Sequence, residues 1–364
     1  MQEKKKTSAK RRTIFGALYI VVISGVVVFF ALRENILEDI MQALANLLPG
    51  WLVMAALALA LFFVFDALSQ WFAVRSILKG VRIGFWQTLK ICAIGQFYNA
   101  VTPTSSGGQP FQVYYMKKQG VPVGTSSSVM LIKLVLYEVS MLLMAVGAMI
   151  LYDRTIEARY SAFVALAAVG IVLAVLTIII ALTAMMNIKL TMRLTDGLLK
   201  LFVRIKLVRH PDKTRARAYQ ILQDFHQCRE FLAKKPGHTF TMFLFVFAHM
   251  FSYFAIVYFV YRAFGLQAHS PLTVILLQAF FHISVAYFPM PGASGASEGG
   301  FLLFYRHFFT PKIVFTAMLI WRAVTYYGKI AIGAAVIIGD TAAKTMKGRG
   351  KSAEAPQIKP GEEI

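Results

Sequence analysis

Apolar residues in this chain run in long blocks and do not alternate. Ile14–Leu32, Trp51–Phe72, Thr125–Tyr152, Ala158–Met185, Thr239–Phe264 and Lys312–Gly339 each approach or exceed the roughly 20 residues a helix needs to cross a bilayer. Two more apolar stretches are interrupted. Gly84–Met116 breaks at Pro103–Pro110 (PTSSGGQP), and Pro271–Phe309 breaks within Phe288–Phe301 (FPMPGASGASEGGF). A shorter segment, Glu34–Leu48, carries Ile36, Leu37, Ile40, Met41, Leu44 and Leu48 at helical spacing, as expected of a helix lying on the outer surface. The pattern predicts an all-α polytopic membrane protein with six full spans and two re-entrant helical hairpins. A membrane barrel would need period-two alternation, which is absent.

Composition agrees. Hydrophobic residues make up 58% and charged residues only 15%, against about 25% charged in a soluble domain. The net charge of +21 invites a nucleic-acid reading, but the basic residues concentrate in every second loop. That is the positive-inside pattern, so the expected charged partners are anionic inner-leaflet lipids and no nucleic acid. The loop 186–237 alone has twelve Lys/Arg against four Asp/Glu and is expected in the cytoplasm, with amphipathic helices presenting Leu194, Leu198, Leu201, Phe202 and Ile205. Lys117 and Lys118 fall on the same inner side only if the broken stretch before them enters and leaves by one face. Both termini are then cytoplasmic in an inner (cell) membrane protein. The domains are a basic tail (1–13), a membrane domain (14–339) and a disordered tail (340–364). The first span lacks a small-x-small cleavage site and is expected to be retained.

The two halves, 14–152 and 158–339, read alike: span, amphipathic segment, span, broken hairpin, span. Three crossings per half invert the second copy. Trp51 to Pro103 is 52 residues, and so is Thr239 to Pro291. Both breaks contain P-x-x-S-G, at Pro103–Gly107 and Pro291–Gly295. Paired Gly/Pro-interrupted segments at matching positions point to a transporter-like site at the repeat interface.

Broken backbone at membrane depth must face protein, water or ligand, because an unpaired polar group in hydrocarbon costs several kcal/mol. Half-helix N-termini suit phosphate, and glycine lets a headgroup approach the backbone. The expected substrate-binding set is Asn99, Thr102, Ser105, Ser106, Gly107, Gly108, Gln109, Ser294, Gly295, Ser297, Glu298, Arg322 and Tyr326. The alternative is that Gly and Ser only let the hairpins pack closely. Glu298 is expected to pair with Arg322, a substrate amine or a proton. Asp66 is expected to pair with Lys133 or Lys90, and His249 and His282 to pack as polar core residues.

Gly292–Gly295 and Gly295–Gly299 mimic serine-hydrolase motifs. The strand-turn-helix context of a hydrolase elbow is missing, and the last span has no histidine base. No catalytic residue, metal site or cofactor is expected. Cys92 and Cys228 form no disulfide framework.

Gly107-Gly108-Gln109-Pro110 with Val113–Lys118, Pro289–Gly295 with Glu298, and Arg322 with Tyr326 and Tyr327 resemble the flippase-like family that shares its membrane region with lysylphosphatidylglycerol synthase. The resemblance implies a protein that moves or modifies a phospholipid or lipid-linked substrate, often in resistance to cationic peptides. It leaves room for a homo-oligomer. Only 25 residues follow Gly339, so the soluble transferase domain of the synthase is not expected here. Lysyl transfer, or scaffolding of a separate synthase through the loop, are the alternatives.

Overall fold

The structure, a computed structural model, describes residues 36–78, 83–102, 105, 107–151, 155–187, 235–288 and 290–353, with isolated positions from 190 to 219. The tail 1–13, the span at 14–32, Leu194, Leu198, Leu201, Phe202 and Ile205 of the basic loop, and 354–364 lie outside the described residues. So do Pro103, Ser106 and Pro289.

All regular elements among the described residues are helical. In chain order they are α1 (Ile36–Ala45), α2 (Pro49–Ile77), α3 (Phe85–Val101), α4 (Gly108–Lys118), α5 (Val123–Leu151), α6 (Thr155–Met186), α7 (Pro236–Ala263) and α8 (Pro271–Val285). A 3-10 turn at Pro291–Ala293 precedes α9 (Ala296–Tyr305). The chain ends with α10 (Val314–Arg322), a π-helical turn at Ala323–Tyr327, and α11 (Gly328–Ala353). Proline opens α2, α7 and α8, where its missing N–H costs nothing. Five segments are long and apolar enough to cross a membrane: Pro49–Ile77, Val123–Ile150, Phe163–Met186, Pro236–Ala263 and Val314–Ala342. They match the five predicted spans that fall on described residues. Helix α11 runs past Asp340, where a disordered tail was expected; Ala342, Ala343, Lys344 and Met346 are good helix formers.

The interrupted stretches form two helical hairpins. Their arms have 17, 11, 15 and 10 residues. At 1.5 Å per residue that is about 15 to 26 Å, less than a ~30 Å hydrocarbon core. In the first hairpin α4 folds back on α3 so closely that a Cβ on Gly95 or Gly108 would overlap Gln112 or Asn99. In the second, α9 packs on α8 through Phe281, Phe304 and Tyr305.

The hairpins enter from opposite ends of the bundle. At one end, Trp71 of α2 packs on Phe85 at the base of the first hairpin, and Phe72 packs on His238 at the start of α7. At the other end, His269 and Phe308 close the base of the second hairpin beside Tyr261, and Leu48 donates to the Ala263 carbonyl. α2 and α7 cross antiparallel between these ends: Trp51 stacks on Phe259, and Phe62 on His249. The first arm of each hairpin packs on the last span of the other repeat. α3 lies on α11, where Gly333 meets Phe97 and the Ala93 carbonyl, and α8 lies on α5, where Gly147 meets Leu276. The inverted repeat read from spacing is thus built into the contacts.

Candidate functional site between the hairpin tips

Both hairpin tips are held by short side chains. At the first, Asn99 Oδ1 accepts from the Gly108 N–H (2.9 Å), and Thr102 Oγ1 accepts from the Gly107 N–H (2.9 Å). At the second, Glu298 Oε2 accepts from the Gly295 N–H (2.5 Å), and the Ser294 hydroxyl donates to the Pro291 carbonyl (2.8 Å). These contacts revise one expectation. The backbone donors of Gly107, Gly108 and Gly295, expected to face a phosphate, are occupied by the protein's own side chains.

The tips share a second feature. Ser105 and Ala293 adopt φ of 52° and 50°, the two non-glycine residues with positive φ among the described residues. An L side chain there costs roughly 1–2 kcal/mol. Each is the third residue of its P-x-x-S-G motif, so the repeated motif encodes a repeated backbone turn. Gly292 has φ of 58°, and a Cβ there would lie 2.3 Å from the Tyr326 ring. That contact brings the second tip onto the last span, and the Tyr326 hydroxyl reaches the Ala100 carbonyl of the first tip (3.3 Å).

Between the tips lies a cavity of about 490 Å³. Asn99, Ser105, Gln109, Ser297, Arg322 and Tyr326 of the expected set line it. Thr102, Gly107, Gly108, Ser294, Gly295 and Glu298 stand behind that wall, shaping the tips, and Ser106 lies outside the described residues. Glu298 acts on the cavity through Arg322, whose Nε and Nη2 both reach Glu298 Oε1 at 2.7 Å. Arg322 Nη2 also reaches the Gly292 carbonyl (3.3 Å), and Tyr326 lies under the guanidinium at 5.0 Å. The π-helical turn begins immediately after Arg322 and carries Tyr326; such turns are frequent at functional sites.

The rest of the wall carries further polar and ionisable side chains. Asp66 on α2 forms an ion pair with Lys133 on α5 and accepts from Gln96 (3.1 Å). His249 Nδ1 donates to the Phe62 carbonyl (2.8 Å), so its Nε2 carries no proton in the neutral ring. The His282 Nε2 is 3.2 Å from the Tyr137 hydroxyl, and Glu138 accepts from Tyr287 (3.1 Å). Lys329 contacts the Tyr253 hydroxyl at 3.5 Å. The histidines do pack as polar core, and they also face the cavity. Lys329 was not singled out; the available signal was a lysine in an apolar span, seven residues after Arg322. No group of His, Cys, Asp and Glu among the described residues could hold a metal.

Helices of this length, two opposed hairpins and a buried polar chamber define a polytopic α-helical membrane protein. The sequence profile of the lysylphosphatidylglycerol synthase transmembrane region matches residues 17–333, and the chain belongs to that family. It is 24% identical over 268 residues to a UPF0104 membrane protein of Archaeoglobus fulgidus, covering 70% of this chain and 76% of that protein. It is 25% identical over 114 residues to the Mycoplasma genitalium protein named "Uncharacterized protein MG306", covering 31% of this chain and 28% of that one.

Proposed function

We propose that this protein binds the headgroup of a phospholipid or lipid-linked substrate in the cavity between the hairpin tips and moves it between leaflets. The observation that carries the reading is that two hairpins from opposite ends converge on one cavity with ionisable walls. Such residues at membrane depth are expensive and mark substrate pathways. The repeats supply the motion: rocking one against the other would expose the cavity to alternate faces. Their shared contacts, α2 on α7 and each hairpin on the other repeat, are the surfaces along which they would slide. The charge bias of the loops supports a cell-membrane orientation with both termini in the cytoplasm.

A headgroup-protection assay in proteoliposomes tests this. Protein-dependent movement of at least one lipid in a panel of anionic and glycosylated lipids is expected; none across the panel removes the reading. The family's description favours a second reading, the membrane part of a phosphatidylglycerol lysyltransferase. It predicts lysyl-lipid in cells expressing this chain alone, read by lipid mass spectrometry.

A further inference from the structure

Among the described residues three Lys/Arg side chains line the cavity, and two are committed. Arg322 is held by Glu298 and the Gly292 carbonyl. Lys133 is held by Asp66. Lys329 is different. Among the described residues no carboxylate lies within ion-pair distance of it, and its contacts are the Tyr253 hydroxyl (3.5 Å) and the faces of Tyr253 (4.7 Å) and Phe62 (5.7 Å). An ammonium has three N–H donors, and one tyrosine hydroxyl uses one of them. The ring faces orient the ammonium and leave it without a counter-anion.

On α5, the last span of the first repeat, Met141 lines the same cavity as an apolar side chain. A cation on a cavity wall inside a span, with no counter-charge of its own, is a ligand group by default.

We infer that Lys329 is the anion-binding and charge-selecting residue of this cavity, taking the phosphodiester of a lipid headgroup, while the Gly/Ser tips provide shape and not the phosphate donors. This rests on the lipid-binding reading above and narrows it. The backbone N–H groups of Gly108, Gly107 and Gly295 are spent on Asn99, Thr102 and Glu298, so among the described residues Lys329 is the cationic side chain left for an anion. The phosphodiester would sit near Tyr253, whose hydroxyl and ring face Lys329.

Equilibrium binding to the purified full chain in neutral nanodiscs tests it, using fluorescent phosphatidylglycerol and an uncharged diglucosyl diacylglycerol as probes. Lys329→Gln is expected to weaken phosphatidylglycerol binding about tenfold or more, the scale of one charge-assisted hydrogen bond, with glycolipid binding unchanged. Lys329→Arg is expected to keep most of the affinity. Phosphatidylglycerol should raise the thermal midpoint of the wild type and of Lys329→Arg but not of Lys329→Met, which controls for folding. Equal phosphatidylglycerol affinity in wild type and Lys329→Gln overturns the inference while leaving the lipid-binding reading intact. Binding of neither lipid by the wild type removes both. Binding of inorganic phosphate alone, competed by no lipid, reassigns Lys329 to a soluble anion and overturns the lipid assignment.

Discussion

Asp66 and Lys133 join α2 to α5 across the cavity wall, and breaking that ion pair is the sharpest energetic test of the architecture. The Asp66 side chain is 1% exposed and that of Lys133 15%. Removing one partner of a buried pair typically costs about 3–5 kcal/mol, because the other charge stays behind without its counterpart. The two single variants should differ in a definite order. Lys133→Met strands a carboxylate with almost no access to water, leaving neutral donors such as the Gln96 amide in place of the ammonium. Asp66→Asn strands an ammonium that can turn toward the cavity, and an asparagine oxygen can still accept from Gln96. The first is therefore expected at the upper end of that range and the second at the lower. In the double variant no charge is left unpaired, so its cost should fall short of the sum of the singles by about 2 kcal/mol or more. Equilibrium unfolding in mixed micelles, followed by tryptophan fluorescence, reads all three against the wild type. Additivity within about 0.5 kcal/mol would falsify the claim that these charges depend on one another.

Other predictions concern the tips. Gly292→Ala puts a Cβ into Tyr326 at a φ of 58° and is expected to lower stability by about 2 kcal/mol or more, read as a fall in thermal midpoint. Gly108→Ala would place its Cβ 2.4 Å from the Gly95 carbonyl and is expected to prevent the first hairpin from closing, with loss of monodisperse protein on size exclusion. Glu298→Gln keeps an acceptor for Gly295 but frees Arg322 of its counter-charge; lipid movement in proteoliposomes should fall about tenfold or more while the protein stays folded. Unchanged transport in that variant would mean that the Arg322–Glu298 pair is a structural tie only.

The scaffold was legible in the sequence because bilayer thickness and backbone hydrogen bonding leave few ways to arrange long apolar runs. Proline and glycine marked the two breaks, and the repeated P-x-x-S-G located the two turns where Ser105 and Ala293 take positive φ. The Glu298–Arg322 pair could be anticipated because both residues sit at charge-averse depth. The wall of the cavity was harder to read. Lys329 meets Tyr253 across 76 residues of chain, and Glu138 meets Tyr287 across 149. Periodicity within a helix carries no information about partners on another element. The tips were harder to read for a local reason: Asn99 and Thr102 stand in the last turn before the break, where their side chains accept from the Gly108 and Gly107 N–H groups. Seen as isolated polar residues they resemble ligand groups, and in the folded chain they satisfy the backbone.

The most direct measurement labels the bases of the hairpins in intact cells. Lys117 lies at the end of α4, at the base of the first hairpin, and Thr310 just after the second; both are exposed. In a background with Cys92→Ala and Cys228→Ser, Lys117→Cys and Thr310→Cys would be treated separately with a membrane-impermeant maleimide. Position 310 is expected to be labelled from outside, and position 117 only after the membrane is permeabilised. Labelling of both from the same face would place the hairpins side by side and contradict it.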